Sequence, residues 1–278
     1  RLLVVLCLLF APIAHAAISI GIVSDGPSER SYIPLDLLQH EVEAVLGREF
    51  KAEFPARKQV HGDWQVSGSS AALEQLLADS QVDLVITTGL IATHLAAQRA
   101  HLPKPVSGVV VADAALQKFP HQDGASGKAN FVYLADERTV AADLELFHRL
   151  IGFRHLAILA DAALLEALPE LPKLVAGAQQ RLNATITLTT VSDRAGAAIQ
   201  AFPADVDAVF LPPLLRFSNN QLKRLSDQLI ERRLPSFALL SQPYMQLGTL
   251  MTGAGRSVDV TRSARRIALN LQSIALGK

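Results

Sequence analysis

One cysteine, two methionines and one tryptophan stand in 278 residues, and aromatic residues make up only 5% of the chain. The cysteine, Cys7, lies inside an N-terminal apolar run. The rest of the chain therefore has no disulfide, no thiol nucleophile and no cysteine metal site. A surplus of one charge is also missing, since 26 Lys and Arg balance 26 Asp and Glu. That excludes the broad basic face by which proteins neutralise nucleic-acid phosphates. Low-complexity tracts are absent and half the residues are hydrophobic, which excludes a disordered chain. Beyond the N-terminal run, no stretch free of charged or polar breaks reaches the ~20 residues that a membrane span needs. What remains is a polypeptide able to build a full core, as one large domain or as two lobes of ~100–150 residues.

The N-terminal run is Leu2 to Phe10 (LLVVLCLLF), behind Arg1 and ahead of Pro12 and Ala14-His15-Ala16. A positive start, a short apolar stretch and a small-x-small end read as a secretory signal peptide over 1–16. Apolar residues follow Cys7, which is therefore not placed to become a lipidated first residue. The expectation is a soluble exported protein whose mature chain begins near Ala17.

Strand and helix signals then alternate. Ile18–Ser24, Phe50–Phe54, Val82–Thr88 and Val106–Val111 read as strands, and Leu35–Leu46, Ser70–Leu77 and Ile91–Ala100 as helices. Ala112 to Lys128 is looser, with Pro120, Gly124 and Gly127, and is the expected crossing between lobes. Alternation resumes with strands at Phe131–Leu134, His155–Ala160, Ala184–Val191, Ala208–Leu211, Ser236–Leu240 and Thr249–Thr252. Helices are expected at Asp136–Ile151, Leu174–Leu182, Arg194–Phe202, Asn219–Arg232 and Val260–Leu276. This is the pattern of parallel sheets covered on both faces. The fold class is α/β, as two doubly wound Rossmann-like lobes joined by a hinge. Lobe one is expected over 17–115 and 241–278, and lobe two over 116–240.

Catalytic motifs are mostly missing. Gly253-Ala254-Gly255-Arg256-Ser257-Val258 follows a strand, but Val258 stands where a dinucleotide loop needs its third glycine. Gly127-Lys128 lacks the remainder of a phosphate loop, and neither a G-x-S-x-G elbow nor an H-E-x-x-H helix occurs. The histidines past the signal segment (His40, His61, His94, His101, His121, His148 and His155) form no ligand cluster. The reading is a non-enzyme with neither cofactor nor metal.

In open parallel sheets, ligands sit outside the carboxyl ends of the strands. Those ends supply Ser24, Asp25, Thr88, Gly89, Leu90, Val111, Asp113, Asp161 and Leu211, with Leu240-Ser241 a further end. Each Ser, Thr or Asp there also suits a helix cap. The mouths are rich in apolar residues, including Pro213, Leu215, Phe217 and Tyr244, and Arg216 is the only basic residue close by. Burying the Leu214–Phe217 run against an apolar ligand is worth ~25 cal/mol per Å². The expected ligand is therefore largely hydrophobic, oriented by polar anchors among Tyr133, Tyr244, Asp25 and Asp113.

ISIGIVSDGP, DLVITTGLIATHLAAQ, PVSGVVVAD, HLAILAD and DAVFLPP, in that order after a signal segment, resemble a type I periplasmic binding protein of the ABC-type uptake class. Thr88-Gly89-Leu90-Ile91-Ala92 and Leu211-Pro212-Pro213 stand where that family carries its strand-end motifs. The resemblance covers nearly all of the chain beyond the signal, through degenerate motifs. It implies a periplasmic protein of two hinged lobes with its ligand in the cleft between them. Val111-Ala112-Asp113-Ala114 and Pro213-Leu214-Leu215 depart from the amino-acid binders towards apolar residues. In this the chain is similar to periplasmic components of lipid-exporting systems, including bacterial sterol transporters. The implied partners are a lipid or sterol, an inner-membrane transporter and an outer-membrane acceptor, with no nucleic acid. Two alternatives stand beside this: an uptake receptor for a small polar solute such as an amino acid, and a periplasmic hydrolase.

Overall fold

Two parallel sheets organise the chain in a computed structural model that describes residues 16–28, 33–47, 49–134, 139–191, 195–239, 242–252 and 260–277. The first sheet contains β1 (Ala16–Ser24), β2 (Phe50–Glu53), β3 (Gln59–His61), β4 (Leu84–Thr87), β5 (Val106–Gly108) and β6 (Phe131–Tyr133). Its order is β2-β1-β4-β5-β6, and β3 pairs with the far half of β1. Register is set by apolar pairs such as Ile20 with Leu84, Val85 with Val106, and Val106 with Phe131.

Every residue of β4 is buried, as is the second half of β1 up to Val23, because helices cover both faces of the sheet. On one face α1 (Leu35–Leu46) and α10 (Val260–Ala275) pack together, with Leu38, Val42 and Val45 meeting Ala264, Ile267 and Leu271. On the other, α2 (Val66–Ala78) and α3 (Leu90–Gln98) bury Leu73, Leu76, Ala92 and Ala96 against Val85 and Val106. Lys128 closes the C-terminal end of α3, donating from Nζ to the carbonyls of Ala96 (3.1 Å), Ala97 (2.7 Å) and Arg99. A lysine satisfies carbonyls that a helix end leaves without partners.

The second sheet has the order β11-β10-β9-β7-β8, from β7 (His155–Asp161), β8 (Thr185–Val191), β9 (Ala208–Leu211), β10 (Ser236–Ala238) and β11 (Met251–Thr252). Around it lie α4 (Val140–Ile151), α5 (Ala162–Ala167), α6 (Leu171–Leu182), α7 (Ala195–Gln200), α8 (Asn219–Glu231) and α9 (Gln242–Gln246). The inner stripe of α8 is Leu222, Leu225 and Leu229. Its start is a capping box in which Ser218 and Gln221 satisfy each other's backbone N–H. This is the α/β architecture of two Rossmann-like lobes expected from the alternation.

The lobe boundaries differ from those expected at 115/116 and 240/241. β6 lies beside β5 in the first sheet, so that sheet continues to Tyr133. The loose Ala112–Lys128 segment is a loop of lobe one, and Phe119 folds it onto Phe131 and Tyr133, at ring distances of 6.0 and 5.2 Å. At the other boundary β11 still pairs with β10 in the second sheet. Among the described residues the first sheet thus runs from β1 to β6, the second from β7 to β11, and α10 packs back on α1 of the first. The strand at Val106–Val111 stops at Gly108, while α5, α9 and β3 are elements the sequence patterns did not reveal. The expected signal segment through His15, the start of the Asp136 helix, Leu240-Ser241 and the Gly253–Val258 motif lie outside the described residues.

Candidate functional site at the cleft between the lobes

Strand order reverses between β1 and β4 in lobe one and between β7 and β9 in lobe two. Such switch points open a crevice at the carboxyl ends of the strands. Here they are marked by Asp25 with Gly89, and by Asp161 with Leu211.

Asp25 is buried at the start of α3. Its Oδ2 accepts the Ile91 N–H (2.9 Å) and its Oδ1 the Ala92 N–H (2.8 Å). Burial pushes the carboxyl up to about 6, against the pull of the Ile91, Ala92 and Leu90 N–H donors, with nearby Asp161 adding to the rise. Gly89 is required by this packing, because a Cβ there would lie 2.1 Å from Asp25 Oδ1. The Asp25 carbonyl accepts the Trp64 N–H at 2.7 Å, holding Trp64 at φ 60° with its ring over Gly26.

Asp161 caps α5 by accepting the Ala163 N–H at 2.9 Å. Its Oδ2 lies 3.0 Å from Arg216 Nε, and its Oδ1 accepts from Arg216 Nη2 at 3.2 Å. Burial raises the Asp161 pKa, while the Ala163 N–H and the Arg216 charge oppose the rise. Arg216 also reaches into lobe one, donating from Nη2 to the Trp64 carbonyl (2.8 Å) with its guanidinium 5.7 Å from the Trp64 ring centre. Beside it, Ser28 Oγ donates to the Leu215 carbonyl at 2.6 Å. Pro27, Ser28, Arg216, Ser218 and Gln221 line a cavity of about 350 Å³ between the lobes. A larger one of about 490 Å³ lies at the outer edge of lobe one, between α1 and β2, away from both switch points.

Of the residues expected to form the site, the fold brings Asp25, Gly89, Asp161 and Leu215 to this cleft, together with Arg216. Ser24 and Thr88 are half-buried beside Asp25, and their backbones tie β1 to its neighbours through Gly62 N–H to Ser24 O (3.1 Å) and Thr88 N–H to Val23 O (2.8 Å). Pro213 is half-buried in the loop after β9.

The apolar liners go elsewhere. Leu90 and Val111 belong to the lobe-one cores, and Leu211, Phe217 and Tyr244 to a lobe-two core. Tyr244 is buried with its Oη accepting the Leu214 N–H at 2.7 Å, so it staples the loop rather than anchoring a ligand. Tyr133 donates to the Pro120 carbonyl (3.0 Å) inside lobe one. Asp113 accepts from Leu116 (2.9 Å) and Val140 (2.8 Å), capping α4.

Trp64, Ser28, Ser218 and Gln221 were not singled out from the sequence. The S-N-N-Q capping box before a helix was the one signal for the last two. Among the described residues no group of three or more His, Cys, Asp or Glu could hold a metal ion. A Thr187–His155–Asp205 row, with contacts of 2.8 and 3.0 Å, lies at the amino end of β7 and touches neither cavity. The cleft thus offers polar donors and acceptors around one fixed ion pair.

No protein-family model and no curated protein sequence matches this chain. Solved structures do. A conserved domain protein from Vibrio cholerae aligns over 95% of this chain and 86% of its own, at 15% identity and a TM-score of 0.66. An ABC domain in complex with L-Trp from Streptococcus pneumoniae matches with the same figures. A glucose-galactose binding protein from Geobacillus stearothermophilus aligns over 94% and 92% of the two chains, at 15% identity and a TM-score of 0.55. Identities this low speak to fold alone. The fold is the two-lobed α/β fold of type I periplasmic binding proteins, found in solute-binding proteins and in LacI-type transcriptional regulators alike.

Proposed function

We propose that this chain is a periplasmic solute-binding protein that takes a small polar solute, such as an amino acid, into the cleft between its lobes. The carrying observation is the cavity of about 350 Å³ beside the Asp161–Arg216 pair, lined by Pro27 and Ser28 from one lobe and by Arg216, Ser218 and Gln221 from the other. Its size falls in the roughly 300–1,000 Å³ range of small-molecule sites. Serine, glutamine and arginine beside a capped helix start suit a solute rich in hydrogen-bonding groups. The reading draws support from fold neighbours that carry L-Trp or are named for glucose and galactose. A lipid or sterol fits this cleft poorly, because the apolar residues that would have cradled it fill the two cores. An ABC permease in the inner membrane is the partner that goes with the polar reading, in place of a lipid transporter and an outer-membrane acceptor. The test is titration calorimetry of the purified protein against amino acids, monosaccharides and a sterol. Saturable binding of a polar solute that weakens in Ser28→Ala and Gln221→Ala supports the reading. Saturable binding of the sterol alone overturns it.

A further inference from the structure

We propose that Arg216 and Trp64 form a latch that holds the two lobes together by the protein's own contacts, so that the protein rests closed and a solute enters only when the latch opens. The inference rests on the solute-binding reading for its consequence, but not for its geometry.

Each half of the latch is fixed within its own lobe. Trp64 sits at φ 60°, its N–H on the Asp25 carbonyl and its ring against Gly26, where an added Cβ would lie 2.4 Å from the ring. Such a left-handed tryptophan persists only where its surroundings hold it. In lobe two, Asp161 accepts one hydrogen bond from Arg216 Nη2 and lies at ion-pair distance from Nε, and Asp161 is itself held as the cap of α5. Between these fixed halves runs one charge-assisted hydrogen bond, Arg216 Nη2 to Trp64 O, with the guanidinium over the indole. Ser28 to the Leu215 carbonyl runs alongside.

All of these partners belong to the chain, so closure does not need a solute to supply a bridging group. Arg216 and Ser28 also line the cavity, which places the latch at the mouth where a solute would pass. Lysine does not replace the arginine, because Nη2 makes both hydrogen bonds while the planar guanidinium lies over the indole with Nε 3.0 Å from Asp161 Oδ2, and an ammonium has no such plane.

Trp64 is the only tryptophan in the sequence, so its fluorescence reports the latch directly. The experiment uses the full protein without added solute, as wild type, Arg216→Lys and Arg216→Ala. Tryptophan emission and acrylamide quenching are measured together with the radius of gyration by small-angle scattering. Loss of one charge-assisted bond and a cation–π contact shifts the open:closed ratio by ~10-fold or more. The expected result is red-shifted emission, stronger quenching and a larger radius of gyration in both variants. Arg216→Lys keeps a cation beside Asp161, so its melting temperature guards against loss of folding in Arg216→Ala. Unchanged emission and radius in a folded Arg216→Lys overturns the latch. A spectral change at constant radius overturns it too, since Arg216 would then only pack on Trp64. Solute titration is separate: binding can fail while the latch stands, and the latch can fail while binding persists.

Discussion

Replacing Asp25 with asparagine tests the electrostatics of the cleft floor. Burial holds this carboxyl at about 6, above its usual 3.8, even though three backbone N–H groups favour the ionised form. The folded protein therefore binds this proton more tightly than the unfolded chain does, and folding is favoured as pH falls. A tenfold change in proton affinity between the folded and unfolded chain corresponds to about 1.4 kcal/mol, so keeping Asp25 ionised at neutral pH costs about 3 kcal/mol. That cost is complete above pH 7, is relieved as pH falls through 6, and vanishes below 3.8. About 2 kcal/mol of it is recovered between roughly pH 7 and pH 4.5. Other carboxylates titrate in the same range, so the useful quantity is the stability of wild type minus that of Asp25→Asn, from urea unfolding at a series of pH values. Asparagine accepts at only one atom, which adds an offset of about 1–3 kcal/mol independent of pH. The expected outcome is a difference that moves in favour of wild type by about 2 kcal/mol on acidification from about 7 to 4.5. A flat difference, or one moving the other way, refutes the assignment of burial as the dominant influence on Asp25.

Four further substitutions probe the supports of the site. Lys128→Met leaves three carbonyls at the end of α3 without their donor. It is expected to cost about 2 kcal/mol and to lower the thermal midpoint by about 4–8 °C, read by calorimetry. Gly89→Ala drives a methyl into Asp25, and a loss of about 1–3 kcal/mol in chemical denaturation is expected. Phe217→Ala should cost about 3–5 kcal/mol, whereas half-exposed Leu215→Ala should stay within about 1 kcal/mol. Equal losses in urea melts would contradict the division of that loop into an inward plug and an outward edge.

The sequence made the repeating architecture legible where burial is periodic or continuous. β4 is a fully buried run, apolar but for Thr87, and α8 and α10 carry their inner stripes at helical spacing. Lobe allegiance was harder to read. A strand as short as Phe131–Tyr133 has no pattern that names its partner; its pairing with β5 and the return of Phe119 onto it place β6 in the first sheet. The cleft was half legible. Strand-end positions located Asp25, Gly89 and Asp161, because topology alone puts those ends together. The apolar run after Pro212-Pro213 misled, since an apolar residue in a loop can face either a ligand or a core. Leu214 and Phe217 turn into the lobe-two core, where Tyr244, thirty residues on from Leu214, packs with them and accepts the Leu214 N–H. Trp64 escaped notice because its role depends on a left-handed backbone and on a partner in the other lobe.

The order of elements along the chain has a consequence for biogenesis. The elements around the second sheet, α4 to β11, follow one another in the chain, and α10, which packs on the first lobe, comes after them. During synthesis lobe two can assemble from a single unbroken stretch. Lobe one must wait for α10 to supply Ala264, Ile267 and Leu271 to the face of α1 and the adjoining strands. The first lobe is therefore completed last, and until α10 emerges Leu38, Val42 and Val45 of α1 lack the partners that finish their packing.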